Sequence, residues 1–311
     1  MVDVSVIIVN RNTRELLRAA LHSVYESAVS TEVIIVDNAS TDGSAEMIRK
    51  EFLAVRLIVN ENNEGFAKPN NDAVRIAGGR YYFLLNSDAR VCNNALERLV
   101  KFMDQNPDVG VCGPQFLNPD GTIQLSCRGF ITLWTHFCDM LILDRIFPRS
   151  RIFASSVMTY FDHQTQREVD HIMAAAIVIR PEVVRNIGLF DERMSIHYND
   201  IDFSHRMKEH GWKTVFYPEA QVVHHLGETT RKHNVRFELF DELYGNFFYY
   251  VRKHYGAVTV LFFKLLMVIG FTPRAIYWFS RRLFSGNEKV REMAQFSLKS
   301  LLLGLTVWKL R

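Results

Sequence analysis

Cysteine is scarce in this 311-residue chain. Cys92, Cys112, Cys127 and Cys138 stand without CxxC spacing, which argues against a zinc ribbon or a disulfide scaffold and leaves reduced thiols as the simplest reading. No Gly-x-Gly-x-x-Gly follows the first apolar run, which counts against a dinucleotide-binding protein. There is no glycine-rich basic loop of the kind that would cradle a triphosphate, which disfavours a nucleotidyltransferase. Internal repeats and low-complexity segments are lacking too. The N-terminus enters a strand pattern directly, without a basic stretch followed by an apolar one, so no signal peptide is expected. The most apolar tract, Gly256 to Phe271, is interrupted by Lys264 and is shorter than the ~20 residues of a spanning helix. Pro273 is expected to break it.

What is present is a globular composition, 48% hydrophobic and 23% charged. The net charge of +3 conceals an asymmetry. After Gly245 there are eleven Lys and Arg against two acids, Glu288 and Glu292, whereas the rest of the chain carries 26 basic and 32 acidic residues. Such a tail is suited to an anionic surface.

Apolar runs at Val4–Val9, Val33–Val36, Arg56–Val59 and Tyr81–Leu85 read as strands. Between them lie helical patterns, the first with Leu16, Leu17, Ala20, Leu21 and Val24 and a possible cap at Thr13. This βαβ alternation predicts a parallel sheet covered on both faces. The segment Asn106–Thr122 is rich in Pro and Gly and reads as turns. Ser126–His171 loses periodicity and is expected to be irregular or partly mobile. Ile172–Ile179 returns to a strand, a helix runs through Met207, and Lys213–Tyr217 and Ala220–His225 read as two strands separated by a turn at Pro218–Glu219.

Polar side chains collect where strands end. The run Tyr81–Leu85 stops on Asn86-Ser87-Asp88, the second strand on Asp37, and the last on His224-His225; Asp200 and Asp202 open a helix. In open α/β sheets, ligands bind beyond the carboxyl ends of the strands. Carboxylate with imidazole can hold a divalent cation such as manganese, and a separate carboxylate can act as general base. That set suits transfer of a group from a diphosphate donor to an alcohol. Each residue also has a plainer reading. Asp37, Asp88 and Asp200 could be turn or helix-start acids, and Asp202 is as readily structural as functional. Gly65 could serve the backbone alone. His163, His171 and His197 are expected to be bystanders.

The pieces Val6-Ile7-Ile8-Val9-Asn10, Asp37-Asn38-Ala39-Ser40-Thr41-Asp42-Gly43-Ser44, Asn62-Asn63-Glu64-Gly65-Phe66-Ala67 with Asn70-Asn71, and Leu84-Leu85-Asn86-Ser87-Asp88 follow one another in a fixed order. Gly188-Leu189-Phe190-Asp191-Glu192, Asn199-Asp200-Ile201-Asp202 and Val222-Val223-His224-His225 complete it. Together they resemble the glycosyltransferase family 2 enzymes, nearest to the bacterial rhamnosyltransferase-like branch, from Val4 to about Gly227. The resemblance implies a GT-A fold, a Rossmann-like, mostly parallel sheet flanked by helices. It implies an inverting transfer from a nucleotide-diphosphate sugar, first of all dTDP-rhamnose, to a hydroxyl of a glycan or lipid-linked acceptor in cell-surface polysaccharide synthesis.

By that resemblance Asp200 is the base, while Asp88 with His224, or less readily His225, holds Mn2+ or Mg2+. Asn10, Asp37, Asn38, Asp42, Gly65, Asn71, Asn86 and Ser87 face the donor, and Asp191 and Asp202 lend support. Three departures stand out. Asn86 replaces the first acid of the Asp-x-Asp-like motif, and Asn199 replaces the acid before the base. Pro69 and Ala174 stand where glycine is common.

The expected domains are 1–245, catalytic, and 246–311, a helical extension. Basic amphipathic helices with Trp278, Phe284, Leu298, Leu301, Leu302, Leu305 and Trp308 suit an anionic membrane surface; packing on the domain or a homodimer contact is the alternative. The expected location is the cytoplasmic face of the cell membrane. No nucleic-acid partner is expected. A non-catalytic scaffold that keeps the fold is the rival reading.

Overall fold

The computed structural model describes residues 2–225 and 240–306. It divides into two compact units, Met1–Gly129 with Phe161–Val235, and Phe130–Tyr160 with Arg236–Arg311.

The first unit is built on a sheet in the order β3-β2-β1-β4-β11-β6-β12-β5. Its left half comprises β1 (Val4–Asn10), β2 (Thr31–Asn38), β3 (Arg56–Asn60) and β4 (Tyr81–Leu85), all mutually parallel. Helices α1 (Arg14–Tyr25), α2 (Ser44–Glu51) and α3 (Ala67–Arg75) connect these strands. Val6, Ile7, Ile8, Ile34, Ile35 and Phe83 are fully buried, as expected for strands covered on both faces. Pro69 lies in the first turn of α3, where a missing N–H costs nothing.

The right half departs from an all-parallel sheet. Here β11 (Ala176–Ile179) runs antiparallel to both β4 and β6 (Val109–Leu117). The long β12 (Lys213–His224) pairs parallel with β6 and antiparallel with β5 (Ala89–Val91). Two sequence expectations are corrected. The Pro/Gly-rich stretch after Asn106 holds β6, nine residues long and almost wholly buried, because burial of Val109, Val111, Cys112 and Phe116 overrides the turn composition. Pro218–Glu219 does not separate two strands: it sits at a register shift within the single strand β12, a place where proline is tolerated.

The second unit is helical: α5 (Leu133–Met140), α6 (Leu143–Ile146), and three long helices here numbered α9 (Phe240–Tyr255), α10 (Ala257–Leu283) and α11 (Glu288–Leu305). Much of the stretch expected to be irregular is therefore ordered. Thr132 and Thr135 form a reciprocal cap that starts α5, a hydroxyl pair standing in for the usual Ser/Thr–Glu box. The division expected at 245/246 falls inside α9. Helix α10 continues through Pro273. Trp308 and Lys309 lie outside the described residues.

Candidate active site

Parallel register sets Asn10 beside Asp37 at the carboxyl ends of β1 and β2. Asn10 Nδ2 donates to Asp37 Oδ1 at 2.7 Å and to Ser40 Oγ at 3.0 Å, and the Ser40 amide donates to Asp37 Oδ2 at 3.0 Å. Asp37 is buried, yet each oxygen keeps a second lone pair for a ligand. Thr13, expected to cap α1, instead donates to Asn10 Oδ1 at 2.6 Å and contacts Ser87 Oγ at 2.7 Å. The ends of β1, β2 and β4 are thus joined in one hydrogen-bonded network.

Asp42 caps two helices. Its Oδ2 accepts from the Arg14 amide at 2.9 Å and its Oδ1 from the Ser44 amide and hydroxyl. Burial would raise this carboxyl, but these donors outweigh it and hold it below the usual carboxylate range. Asn38 ties the β3 end to the next loop, donating to Asn63 Oδ1 and Gly65 O and accepting from Asn60 and the Glu64 amide.

Gly65 has φ +79°, and a Cβ there would lie 2.8 Å from the Ser195 carbonyl. That close approach lets the amides of Phe66 and Ala67 donate to Ser195 O at 2.6 and 2.9 Å. Asn71 makes a second tie to the same region, bonding both Phe190 backbone groups and Glu192. These contacts anchor the 190–198 loop that leads into α8 (Asn199–Glu209) and presents Asp200 at its first turn. Tyr198, the residue before α8, sits at φ +68°, a strained conformation of the sort that clusters at functional sites. Asn199 donates to Met194 O and Ile196 O at 3.3 Å, closing the loop. Asp202 is fully buried and paired with Arg206 at 2.9 Å. Arg206 also bonds carbonyls of Ile187, Gly188 and Leu189, so the pair fixes α8 to the chain before it. Asp191 is gripped by Arg193 through both oxygens at 2.9 Å.

On the other side, the antiparallel pairing of His224 with Ala89 brings His224 Nε2 to 3.4 Å from Asp88 Oδ1. Both residues are buried. His224 Nδ1 lies 2.7 Å from Gln124 Oε1. The Gln124 amide nitrogen already donates to Asn118 Oδ1 and His224 O, so its oxygen accepts and Nδ1 carries the hydrogen. Nε2 is then left facing a carboxylate. That juxtaposition is favourable only with a proton or a cation between them, which suits a divalent-metal site. His225 contributes its amide to Asp88 O at 2.9 Å and lines a shallow cleft with Leu16 and Ala19. Asn86 is placed by its amide bond to Ala175 O at 2.8 Å, which sets the Ala174–Ala175 turn against the motif.

His171, expected to be a bystander, is instead a neighbour of Asp200. His171 Nε2 lies 3.6 Å from Asp200 Oδ2. Burial pushes this imidazole below its ordinary range, against the pull of the carboxylate. Arg128, half-buried on β8 (Cys127–Arg128), which pairs with β10 (His171–Ile172), acts on both through its charge. Gln124, beside His224, and Arg128, across from His171, are only four positions apart in the chain; such a run spans at most about 14 Å. His171 and Ala175, which holds Asn86, are likewise four positions apart. The Asp88–His224 pair and Asp200 are thus linked through the same two short segments. No sequence signal marks Gln124, Ser195 or Arg128: Gln124 and Arg128 sit in two-residue strands too short to show a period, and Ser195 lies in a loop. His163, by contrast, is held by Phe161 O and the Cys127 amide, a structural role.

The fold and this strand-end constellation define a GT-A glycosyltransferase. The chain belongs to glycosyl transferase family 2, whose profile matches residues 5–164. It is 25% identical over 223 residues to the N-acetylglucosaminyl-diphospho-decaprenol L-rhamnosyltransferase of Mycobacterium tuberculosis, covering 68% of this chain and 71% of that protein. It is 23% identical to the dTDP-rhamnosyl transferase RfbF of Shigella flexneri over 203 residues, 64% of this chain and 62% of the relative. Among solved structures it resembles Staphylococcus aureus TarS 1-349 in complex with UDP-GlcNAc, with TM-score 0.55, 16% identity and coverage of 98% and 82% of the two chains. It also resembles the mannosyltransferase PcManGT from Pyrobaculum calidifontis in complex with GDP-Man and Mn2+, with TM-score 0.54, 17% identity and coverage of 97% and 85%.

Proposed function

We propose that this glycosyltransferase moves a sugar from a nucleoside-diphosphate donor to a hydroxyl of a glycan or lipid-linked acceptor, with inversion at the anomeric carbon. The observation that carries this is Nε2 of His224 turned onto Asp88, next to the segments that hold Asp200. Asp88 and His224 would hold a divalent cation, manganese or magnesium. Bound there, the cation supplies positive charge to the leaving diphosphate.

Asp200 does the proton work. Its Oδ1 already accepts from the Ile201 amide at 2.9 Å, which leaves Oδ2 to take the proton of the attacking hydroxyl. The acceptor oxygen bonds to the anomeric carbon as the bond to the diphosphate oxygen breaks. Asp37 orients the base or ribose of the donor, held for that task by Asn10 and Ser40. Asn86 and Ser87 flank the diphosphate, and Asn38, Gly65 and Asn71 shape the donor pocket through the loops they fix.

The rhamnosyltransferases among the relatives support dTDP-rhamnose as the first donor to try, and a lipid-linked acceptor would be met at the cytoplasmic face of the membrane through the C-terminal unit. Titration of the purified protein with dTDP, UDP and GDP, each with and without Mn2+, tests the site. Metal-dependent binding of one of them is expected; no metal-dependent binding of any would overturn the reading. A nucleotide-sugar panel scored by thermal stabilisation then identifies the donor.

A further inference from the structure

The second unit exposes a long apolar face in addition to its buried core. On α10 the residues Val258, Leu261, Phe262, Leu265, Ile269, Ile276, Phe279 and Leu283 are 36% to 81% exposed. At 100° per residue they fall within a stripe about 100° wide. Only Thr272 and Ser280 interrupt it, and no charge does. From Val258 to Leu283 the stripe is about 38 Å long.

Helix α11 repeats the pattern: Leu298, Leu302 and Leu305 face outward, whereas Ala294, Ser297 and Ser300 are buried. Where α10 meets α11, a Cβ on Gly304 would come within 2.9 Å of Val268. Lys264, the charge inside the Gly256–Phe271 tract, is buried and donates to Thr306 O at 2.7 Å, closing the end of α11. The inner side of α10 is filled by Val260, Phe263, Met267 and Phe271, so the helical unit has its own apolar core and the outer stripe is a second apolar face that the described residues leave uncovered.

Charge selects the occupant. From Leu243 to Asn287 there is no acidic residue, while Arg252 and Lys253 precede the stripe and Arg281 and Arg282 close it. A second copy laid along the stripe, in either direction, would set basic pairs against basic pairs. An anionic leaflet offers hydrocarbon to the stripe and phosphates to its ends. The inner face of α10 argues against spanning. Arg274 donates to Asp139 O at 3.1 Å, and Gly270 packs on Met140. These partners belong to α5, so the inner face of α10 is taken up by the chain's own groups rather than by lipid.

We propose that α10, with the outer leucines of α11, is a monotopic docking surface that lies in the plane of an anionic leaflet. This rests on the membrane-surface reading above and assigns its contact residues.

The test is sedimentation of the full chain with phosphatidylcholine vesicles and with vesicles containing a third phosphatidylglycerol. The intact chain should bind the anionic vesicles. Leu261→Ser with Leu265→Ser should weaken binding about tenfold per side chain, with an unchanged melting temperature and unchanged nucleotide binding. Arg281→Gln with Arg282→Gln should weaken it about fivefold per charge and lower its salt sensitivity. Absence of vesicle binding by the intact chain would sink the membrane reading itself. Equal binding by the Leu261/Leu265 variant would leave that reading standing and overturn the assignment of the stripe. Membrane-bound protein that resists alkaline carbonate extraction would show a spanning helix. A dimer that the leucine variant dissociates, without vesicle binding, would assign the face to a second copy; either result overturns the proposal.

Discussion

Gln124 Oε1 lies 2.7 Å from His224 Nδ1, and that contact decides which ring nitrogen faces Asp88. Gln124→Leu keeps the bulk of the side chain but lets the ring turn and change tautomer. Such outer partners of a metal-ligating histidine are worth about 10–100-fold in metal affinity. The Mn2+ concentration needed for nucleoside-diphosphate binding, measured by calorimetry, should rise by that factor. An unchanged titration would show that His224 needs no orienting partner, and would weaken the case that it binds metal.

The proposed base can be separated from the proposed donor site. Asp200→Asn retains the size and the acceptor for the Ile201 amide but cannot take a proton. Transfer should fall by at least about 10²-fold, while Mn2+-dependent nucleotide binding stays as in the parent. Turnover within a few-fold of the parent would remove Asp200 from the role.

His171 invites a pH comparison. It faces Asp200 at 3.6 Å and is kept neutral by burial, with Arg128 adding to that tendency and Asp170 and Asp200 opposing it. His171→Gln should leave nucleotide binding intact and move the acid limb of the kcat profile. The same limb in both proteins would make His171 a packing residue only.

These residues show what could be read before the structure. The buried runs at Val4 and Tyr81 and the polar residues that end them were legible, because period and composition coincide there. Pairings were not. Nothing in the order Ala89…His224 says that these two residues would lie side by side, since antiparallel β5 and β12 are separated by over a hundred residues. The Pro/Gly content that hid β6 is a weak local preference, outweighed by burial of its apolar side chains. The tail's apolar period was visible, but its direction was not: Leu298 and Leu302 could as well have faced inward, and only the small residues at Ala294, Ser297 and Gly304 mark the packed side.

Gly65 tests how far the loop before Asp200 depends on one missing methyl. A Cβ at that position would meet the Ser195 carbonyl at 2.8 Å, on a backbone of φ +79°. Gly65→Ala should cost about 1–3 kcal/mol, or roughly 2–4 °C in melting temperature for each kcal/mol. It should also lower transfer more than nucleotide binding, because the strain is relieved by moving the loop that leads to Asp200, the proposed base. An unchanged melting temperature would show that the Ser195 contact is loose.

The helical unit should be sensitive to acid through His136. Its ring lies 5.3 Å from that of Phe247 and 4.9 Å from that of Phe263, and it is 8% exposed. Burial pushes its pKa down to about 4, opposed by a backbone contact to Phe263 and helped by Arg274. Above about pH 6.5 the imidazole is neutral whether folded or unfolded and contributes no pH dependence. Below that only the unfolded chain takes up the proton, so stability falls as pH drops from about 6.5 towards 4 and then levels off. By pH 4.5 the loss amounts to about 2–3 kcal/mol. His136→Phe fits the aromatic slot and has no proton to bind. Urea unfolding followed by tryptophan fluorescence at pH 7 and pH 4.5 should show a smaller acid penalty in the variant by that amount. Equal penalties in the two proteins would show that the acid sensitivity of this unit arises elsewhere.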